Sequence, residues 1–302
     1  MRLEAPAKIN LQLRVGRRRD DGFHPLVSWM CTVGLFDTLE LEPRIEPGFA
    51  LECDRPELPC DASNLVARAA ELLSAEAQAR RTSHGGARGR LQKRIPIGAG
   101  LGGGSSDGAR ALLGLNALWQ LHLDRPTLAG LAARLGSDVP FFLYEPSAAC
   151  AGRGEVVRPL RPPAARWAVL ILPALLLSTR DVYARFDDLA LGSSEALAAE
   201  PPWEQWSGQE AGVLLPRLVN DLERPAFSLA PELGRLRDSA QAALSRVVRM
   251  SGSGSALFSL YDQESQAQAA AQKLRQALRV RCEAAGLAPV VRDDLNAVAQ
   301  AR

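Results

Sequence analysis

The stretch Pro96-Ile-Gly-Ala-Gly-Leu-Gly-Gly-Gly-Ser-Ser-Asp107 constrains this chain more than any other. It holds five glycines in the seven residues from Gly98 to Gly104, and Ser105, Ser106 and Asp107 follow at once. Leu91 to Ile95, just before it, reads as a short extended segment. Gly108 to Gln120, just after it, is rich in Ala and Leu with no internal proline and reads as a helix. Leu112, Leu115 and Trp119 share one face of that helix, and Leu113 and Leu118 fill much of the rest. A helix that is apolar nearly all round is buried. The sequence therefore predicts a glycine loop that empties into the N-terminus of a buried helix. Free backbone N–H groups and the positive dipole end favour an anion there. Glycine also lets the backbone reach φ > 0 and approach a ligand closely. Three consecutive glycines at that point predict a loop wrapped around phosphate.

The letters exclude several phosphate loops. There is no Gly-Lys-Ser/Thr, so the loop is not of Walker A type. Neither His-Arg-Asp nor Asp-Phe-Gly of the protein kinases is present. Gly98-x-Gly100-x-x-Gly103 does fit the dinucleotide fingerprint, with Asp124 about where a ribose-binding acid would stand. That keeps a Rossmann-type dinucleotide-binding oxidoreductase as an alternative. Against it, the preceding segment carries Gln92, Lys93 and Arg94 and runs into Pro96, whereas a central parallel strand is a continuous apolar run.

The 302 residues suit one large or two ordinary domains. Lys and Arg number 36 against 34 Asp and Glu, which gives no footprint for nucleic acid. Five cysteines without a CxxC spacing fit a reduced setting better than a disulfide framework or a zinc site. The opening Met-Arg-Leu-Glu-Ala-Pro has no apolar signal region. The longest apolar run, Trp167 to Leu177, contains Pro173 and falls short of the roughly 18–20 residues of a membrane helix. The expectation is a cytoplasmic protein, monomer or homodimer, with a small-molecule substrate and neither a nucleic-acid nor a membrane partner.

Ala7, Ile9, Leu11, Leu13 and Val15 alternate with Lys8, Asn10, Gln12 and Arg14, a period-2 strand with one buried and one polar face. Asp21-Gly22 signals a turn before the apolar stretch Val27–Leu35. Thr38–Leu41 and Phe49–Cys53 read as short strands, and Ser63 as the cap of a helix from Asn64 to about Arg80. Residues 81–90 read as a mobile loop with His84 exposed. A helix is predicted over Pro126–Leu135, with Gly136 as its stop. Asp138 then stands at the start of an apolar strand, and Ala148–Glu155 reads as a hairpin. The Pro/Arg-rich segment Arg158–Arg166 is a composition shift and marks a domain boundary. Beyond it, Trp167–Pro173 reads as a buried strand and Ser178 to Asp187 as a short helix. Trp203 and Trp206 fall in a polar loop without an assigned role. Pro231–Leu244 and Gln263–Leu278 read as helices. Met250-Ser-Gly-Ser-Gly-Ser255, ahead of a strand over Ala256–Tyr261, is a second glycine loop.

Pro96-x-x-x-Gly-Leu-Gly-Gly-Gly-Ser-Ser-Asp107 resembles the phosphate loop of the GHMP kinases, the superfamily of galactokinase, homoserine kinase and mevalonate kinase. Ala5-Pro-Ala-Lys-Ile-Asn10 resembles the opening strand motif of the same family, and Gly136-Ser-Asp-Val-Pro140 its segment with the catalytic aspartate. Gly22-Phe-His24 resembles the cytidine pocket of one branch, whose alcohol substrate carries a cytidine diphosphate and serves the non-mevalonate isoprenoid pathway.

The resemblance implies an α+β, two-domain GHMP kinase fold. Residues 1–158 would form an ATP-binding, ribosomal-protein-S5-like domain, and residues 159–302 a ferredoxin-like α/β sandwich. It implies ATP and Mg²⁺ as cofactors. Pro96, Ile97, Gly98, Ala99, Gly100, Leu101, Gly102, Gly103, Gly104, Ser105 and Ser106 would cradle the nucleotide's phosphates, and Asn64 would border the adenine. Ser105 or Ser106 would lie near Mg²⁺, whose further ligands are not identifiable. Lys8 and Asp138 would be catalytic, with Asp138 as base. Asn10, Phe23 and His24 would contact the substrate, with Phe23 in place of the family's more usual tyrosine stacking on cytosine. Ser178 or Tyr183 would face the base from the other side. A homoserine- or mevalonate-type kinase, which has no use for Phe23 and His24, remains a second alternative.

Overall fold

The computed structural model describes residues 1–193, 197 and 200–295. The polar end of the chain and part of the segment ahead of Trp203 lie outside the described residues. Ten strands and ten helices are labelled here in chain order. The first sheet holds β1 (Arg2–Val15), β2 (Leu26–Arg44), β3 (Phe49–Cys53), β4 (Gly86–Gln92), β5 (Ser147–Gly152) and β6 (Val156–Pro159). Its order is β3-β4-β2-β5-β6, and β1 pairs with β2. The two apolar segments Val27–Leu35 and Thr38–Leu41 are one strand of 19 residues, not two. That length lets β2 pair with β1 along one edge, and with β5 and then β4 along the other.

Helices α1 (Leu65–Ala79), α2 (Gly103–Leu118) and α3 (Arg125–Leu135) cover the outer face of this sheet around Leu3, Leu39, Leu41, Leu112 and Leu131. The cap of α1 is Asn64, whose side chain accepts from the Val66 N–H at 3.0 Å. Ser63 sits one residue too early and bonds Asp61 instead. Helix α2 begins five residues before the sequence suggests, because Gly103 and Gly104 already take helical dihedrals. The apolar run after Asp138 is not a strand but the short helix α4 (Phe141–Tyr144). Short apolar runs do not distinguish the two by themselves. The supposed mobile loop at 81–90 contributes most of β4, and His84 is held there by Ser74 and stacked on Trp119 at 4.1 Å.

The second sheet runs β10 (Arg281–Gly286), β7 (Trp167–Leu172), β9 (Leu257–Tyr261) and β8 (Arg249–Met250). In chain order this is 4-1-3-2, all antiparallel, the arrangement of a split βαβ ferredoxin-like unit. Its strands alternate cleanly. Val169 and Ile171 face the helices α5 (Thr179–Asp188), α8 (Glu223–Leu229), α9 (Pro231–Leu244) and α10 (Glu264–Leu278). Ala168, Leu170 and Leu172 face the first sheet, where they meet Ile9, Leu11 and Trp29. The two tryptophans without a sequence role belong to this contact: α6 (Trp203–Ser207) places the buried Trp203 ring 5.9 Å from that of Trp29. A short helix α7 (Ala211–Leu214) follows. The only parallel pair among the described strands is β3 with β4, so the topology excludes a doubly wound Rossmann sheet.

Helix α2 lies close on β1 and β2 at Gly114, where an added Cβ would come within 2.5 Å of the Leu3 and Leu41 side chains. Gly114→Ala is expected to destabilise by about 1–3 kcal/mol through overpacking. Gly130→Ala, in α3 with nothing within 4 Å, should be neutral or stabilise by up to about 1 kcal/mol. Denaturant midpoints of the two variants check the pair, and equal shifts would show that α2 does not pack this way.

Candidate active site

A cavity of about 1030 Å³ opens between the two sheets. Every residue from Pro96 to Ser105 lines it, as do Lys8, Asn10, Phe23, His24, Asn64 and Asp138. Among the residues singled out from the sequence, Ser106 does not: its side chain is fully buried beneath α2, and its hydroxyl has no partner.

The glycine loop gets its shape from close backbone contacts. Gly98, Gly100 and Gly102 all have φ between 66° and 74°, the left-handed region. A Cβ at Gly100 would sit 2.2 Å from the Ser251 carbonyl oxygen in the second glycine loop, and one at Gly102 would sit 2.9 Å from Lys8 Cγ. Glycine is thus needed twice over, for dihedral and for space. The loop's carbonyls are tied down. Ala99 O accepts from Ala256 N–H at 3.0 Å, Gly100 O from the Ser251 hydroxyl at 2.9 Å, and Leu101 O from Lys8 N–H at 2.9 Å. The amides of Gly103, Gly104 and Ser105 open α2 and have no intrahelical acceptor. Together with the helix dipole they make an anion site that needs no side chain.

Lys8 and Asp138 meet beside this loop. Lys8 Nζ lies 3.2 Å from Asp138 Oδ2 and donates to Asn10 Oδ1 at 2.6 Å. The lysine is buried, while the Asp138 side chain keeps 32% of its surface exposed and so reaches the cavity. The polar face of β1 is therefore not solvated: Lys8, Asn10 and Gln12 are all buried. Period-2 alternation shows which residues share a face, not what covers it. Here the cover is the second half of the chain, through Ser251 on the Asn10 N–H at 3.2 Å and Val219 N–H on Gln12 Oε1 at 2.7 Å.

At the far end of the cavity Phe23 is half-exposed, with the Arg153 guanidinium 4.6 Å from its ring centroid. His24 is buried. Its Nδ1 donates to Gly16 O at 2.9 Å, and Nε2 lies 3.3 Å from Asp187 Oδ1. Nδ1 is thus engaged within the protein, and Nε2 has the Asp187 carboxylate as a neighbour. Tyr183 packs on the imidazole at 5.1 Å and lines the cavity, whereas Ser178 caps α5 and does not line it. Burial raises the Tyr183 phenol well above its ordinary range, with the Asp138 charge adding to the effect. Asp124, the candidate ribose acid, only caps α3.

Sequence reasoning missed one cluster. Lys93 Nζ donates to Asp37 Oδ2 and, at 2.6 Å, to Asp107 Oδ2. All three are buried, and they come from β2, from the turn after β4 and from α2. Asp37 Oδ1 also accepts the Ile95 N–H at 2.9 Å, which holds the entry to the loop. The one available signal was a lysine and an aspartate flanking the glycines. Burial would lower the Lys93 ammonium, but the Asp107 and Asp37 carboxylates outweigh it and raise it. For Asp107, burial pushes the carboxyl up to about 7; Lys93 opposes this and Asp37 reinforces it. One ammonium faces two carboxylates, so the cluster keeps an extra proton.

Family models match two parts of the chain: the GHMP kinases N terminal domain over residues 64–146 and the GHMP kinases C terminal domain over residues 207–280. The chain is 37% identical over 263 residues to a 4-diphosphocytidyl-2-C-methyl-D-erythritol kinase of Shouchella clausii, covering 87% of this chain and 86% of that one. It is 40% identical over 285 residues to the enzyme of the same name from Prochlorococcus marinus, covering 89% and 87%. A crystal structure of 4-(cytidine 5'-diphospho)-2C-methyl-D-erythritol kinase superposes with TM-score 0.74 at 40% identity, over 96% of this chain and all of that one. A homoserine kinase from Cytophaga hutchinsonii shares the fold at TM-score 0.72 and 18% identity, over 96% and 95% of the two chains.

The buried proton of Asp107 has a sign that can be measured. From about pH 4 to about pH 7 the folded chain holds a proton that an unfolded aspartic acid, ordinarily near 3.8, has released. Stability therefore falls as pH rises through that window. Thermal midpoints of Asp107→Asn and the parent, taken from pH 4.5 to 7.5, should diverge, with the parent losing ground as pH rises. Glu145 and Glu223, whose carboxyls burial also raises, remain in both proteins and cancel. Parallel curves would place the proton elsewhere.

Proposed function

The chain belongs to the 4-diphosphocytidyl-2-C-methyl-D-erythritol kinase family of the GHMP kinases, and we propose that it transfers the γ-phosphoryl group of ATP to the 2-hydroxyl of 4-diphosphocytidyl-2-C-methyl-D-erythritol. The products are the 2-phosphate and ADP, a step of the non-mevalonate isoprenoid route. One observation carries the reading: the Lys8–Asp138 pair lies in a single cavity with an anion-binding glycine loop and with the Phe23–His24 pocket.

Phosphoryl transfer asks for positioning and charge stabilisation more than for covalent help. The loop amides hold the phosphate oxygens, and Asn64 borders the adenine. Asp138, exposed to the cavity, accepts the proton of the attacking hydroxyl. Lys8 has three N–H donors; Asn10 takes one and Asp138 a second, which leaves one for the oxygen where negative charge develops. Phe23 stacks on the cytosine, Tyr183 walls the pocket, and polar contacts to the base come from His24 and Asp187.

Mg²⁺ would arrive with the nucleotide. Among the described residues no cluster of three or more His, Cys, Asp or Glu forms a protein cage. That suits an ion held chiefly by phosphates and water. Ser105 at the cavity wall and Asp107, whose Oδ1 is buried without a partner, are hard oxygen donors that fit it. The ion would neutralise charge on the transferred group. No described helix is long and apolar enough to cross a membrane, and we place the enzyme in the cytoplasm with its ATP supply. We also place the domain boundary at residues 158 and 159, at the last residue of the final strand of the first sheet and ahead of the first strand of the second.

ADP release from ATP and Mg²⁺ should occur with the cytidyl substrate and not with homoserine or mevalonate; turnover with either of the latter alone would overturn the assignment. Asp138→Ala should lower kcat by about 10²–10⁴, the usual scale for a general base. A variant within tenfold of the parent would remove Asp138 from that role. Phe23→Ala should weaken cytidine diphosphate by about 1–3 kcal/mol, the scale of base stacking on an aromatic ring, and leave ADP binding unchanged by calorimetry.

A further inference from the structure

Five basic side chains line the cavity: Lys8, Arg18, Lys93, Arg153 and Arg180. Four of them have acidic partners. Lys8 has Asp138, Lys93 has Asp37 and Asp107, Arg18 has Asp187 at 3.9 Å, and Arg153 has Glu155 at 3.8 Å besides the Phe23 ring. Arg180 is exposed and pairs with no acid among the described residues. A cation left without a counter-ion inside a cleft that receives polyanions is placed to meet one of them.

Its position narrows the choice. Thr179, Arg180, Tyr183, Ala184 and Asp187 all line the cavity, the spacing of one face of α5. Asp187 meets His24 at the base pocket, and the Thr179 hydroxyl meets that of Ser253 in the second glycine loop at 2.8 Å. With a rise of about 1.5 Å per residue, Arg180 stands about 10 Å along the helix from Asp187, at the end that meets the second glycine loop. Arg185 of the same helix faces away, bonded to Ser228 at 3.0 Å and near Asp188 at 3.7 Å.

Resting on the kinase reading, we propose that Arg180 binds a phosphate oxygen of the reactants at the neck between base pocket and transfer centre. The oxygen belongs to the diphosphate of the cytidyl substrate or to the γ-phosphate of ATP. A guanidinium offers two parallel N–H donors to either. Unlike Arg18 or Arg153, Arg180 breaks no existing ion pair to do so.

Calorimetric titration of the parent, Arg180→Gln, Arg180→Lys and Arg185→Gln with CDP, and separately with adenylyl imidodiphosphate and Mg²⁺, tests this. Arg180→Gln should weaken one ligand by about tenfold or more, the scale of a hydrogen bond to a charged group. Arg180→Lys should recover part of the loss, and Arg185→Gln should bind as the parent does. Loss for CDP assigns the diphosphate; loss for the ATP analogue, with kcat reduced, assigns the γ-phosphate. Binding and kcat of Arg180→Gln within twofold of the parent would overturn the proposal, as would an equal loss in Arg185→Gln. If the parent itself binds no CDP, the cytidine pocket of the kinase reading fails, and that result is read before any variant is considered.

Discussion

The free edge of β1 is the constraint on which the rest of the site depends. One edge of this strand pairs with β2, and among the described residues no strand of its own sheet covers the other. Buried backbone groups on such an edge must find partners or cost roughly what a lost hydrogen bond costs. They find them in the site itself. Lys8 N–H bonds the glycine loop at Leu101, Asn10 N–H bonds Ser251 of the second loop, and Leu13 N–H bonds Val219, while Asp221 N–H returns to Leu13 O. Asn220 completes the junction, donating to Met250 O and Gly252 O at 2.8 Å each. Main-chain groups of β1, bonded directly at Leu101 and Val219 and through the Ser251 hydroxyl, together with the Asn220 side chain, thus fix where both glycine loops stand relative to Lys8. The contact at Gly100 follows from it: two backbones pressed together along a third leave no room for a Cβ.

Two buried lysines near this junction show how environment separates roles. Lys93 faces two fully buried carboxylates and spends its charge joining β2, the loop entry and α2. Breaking a buried pair by removing one partner typically costs about 3–5 kcal/mol, because the other charge is left uncompensated. Such a lysine is fixed in place by the two carboxylates it joins. Lys8 faces one amide and one carboxylate, and that carboxylate reaches the cavity. A charge only partly neutralised, at the edge of solvent, can respond to new charge on a substrate oxygen. The difference lies in the partners, since both lysines are almost equally buried.

The legible part of this architecture was local. The loop showed itself because phosphate binding by main chain demands consecutive glycines ahead of a helix, a pattern with few other uses. The strands Phe49–Cys53 and Trp167–Leu172 and the helices after Asp124 and Ala230 announced themselves by period, cap and proline. Lys8 and Asp138 stood out only through resemblance, since each has an ordinary local reading. The polar strip of β1 showed only which residues share a face, because a repeat of two carries no information about residues 219 and 251. Lys93 read as one more polar residue because its partners lie 56 and 14 positions away. The same distance problem hid the tryptophans: Trp203 is meaningless until it stands against Trp29. Boundaries slipped where two signals competed, as at Ser63 and Asn64, both good caps, of which only Asn64 is placed to reach Val66.

The division between main-chain and side-chain work also explains how such a fold hosts more than one substrate. The phosphate cradle depends on backbone amides, on glycine dihedrals and on a helix end, none of which reads the identity of an alcohol. In the proposed function identity is read elsewhere, by Phe23 and His24 on the β1–β2 loop and by the inward face of α5, all of which line the cavity. These two elements come from opposite halves of the chain and meet through side chains, at His24 with Tyr183, Phe186 and Asp187 and at Arg18 with Asp187. They can therefore change without disturbing the hydrogen bonds along β1 that hold the two loops. Because the buried His24 ring is anchored to Gly16 O and packed against Tyr183, Phe186 and Asp187, it sets the distance between the two walls of the pocket. A substituent at this ring would then move both walls at once, whereas a change at Phe23, half-exposed at the rim, alters one wall alone.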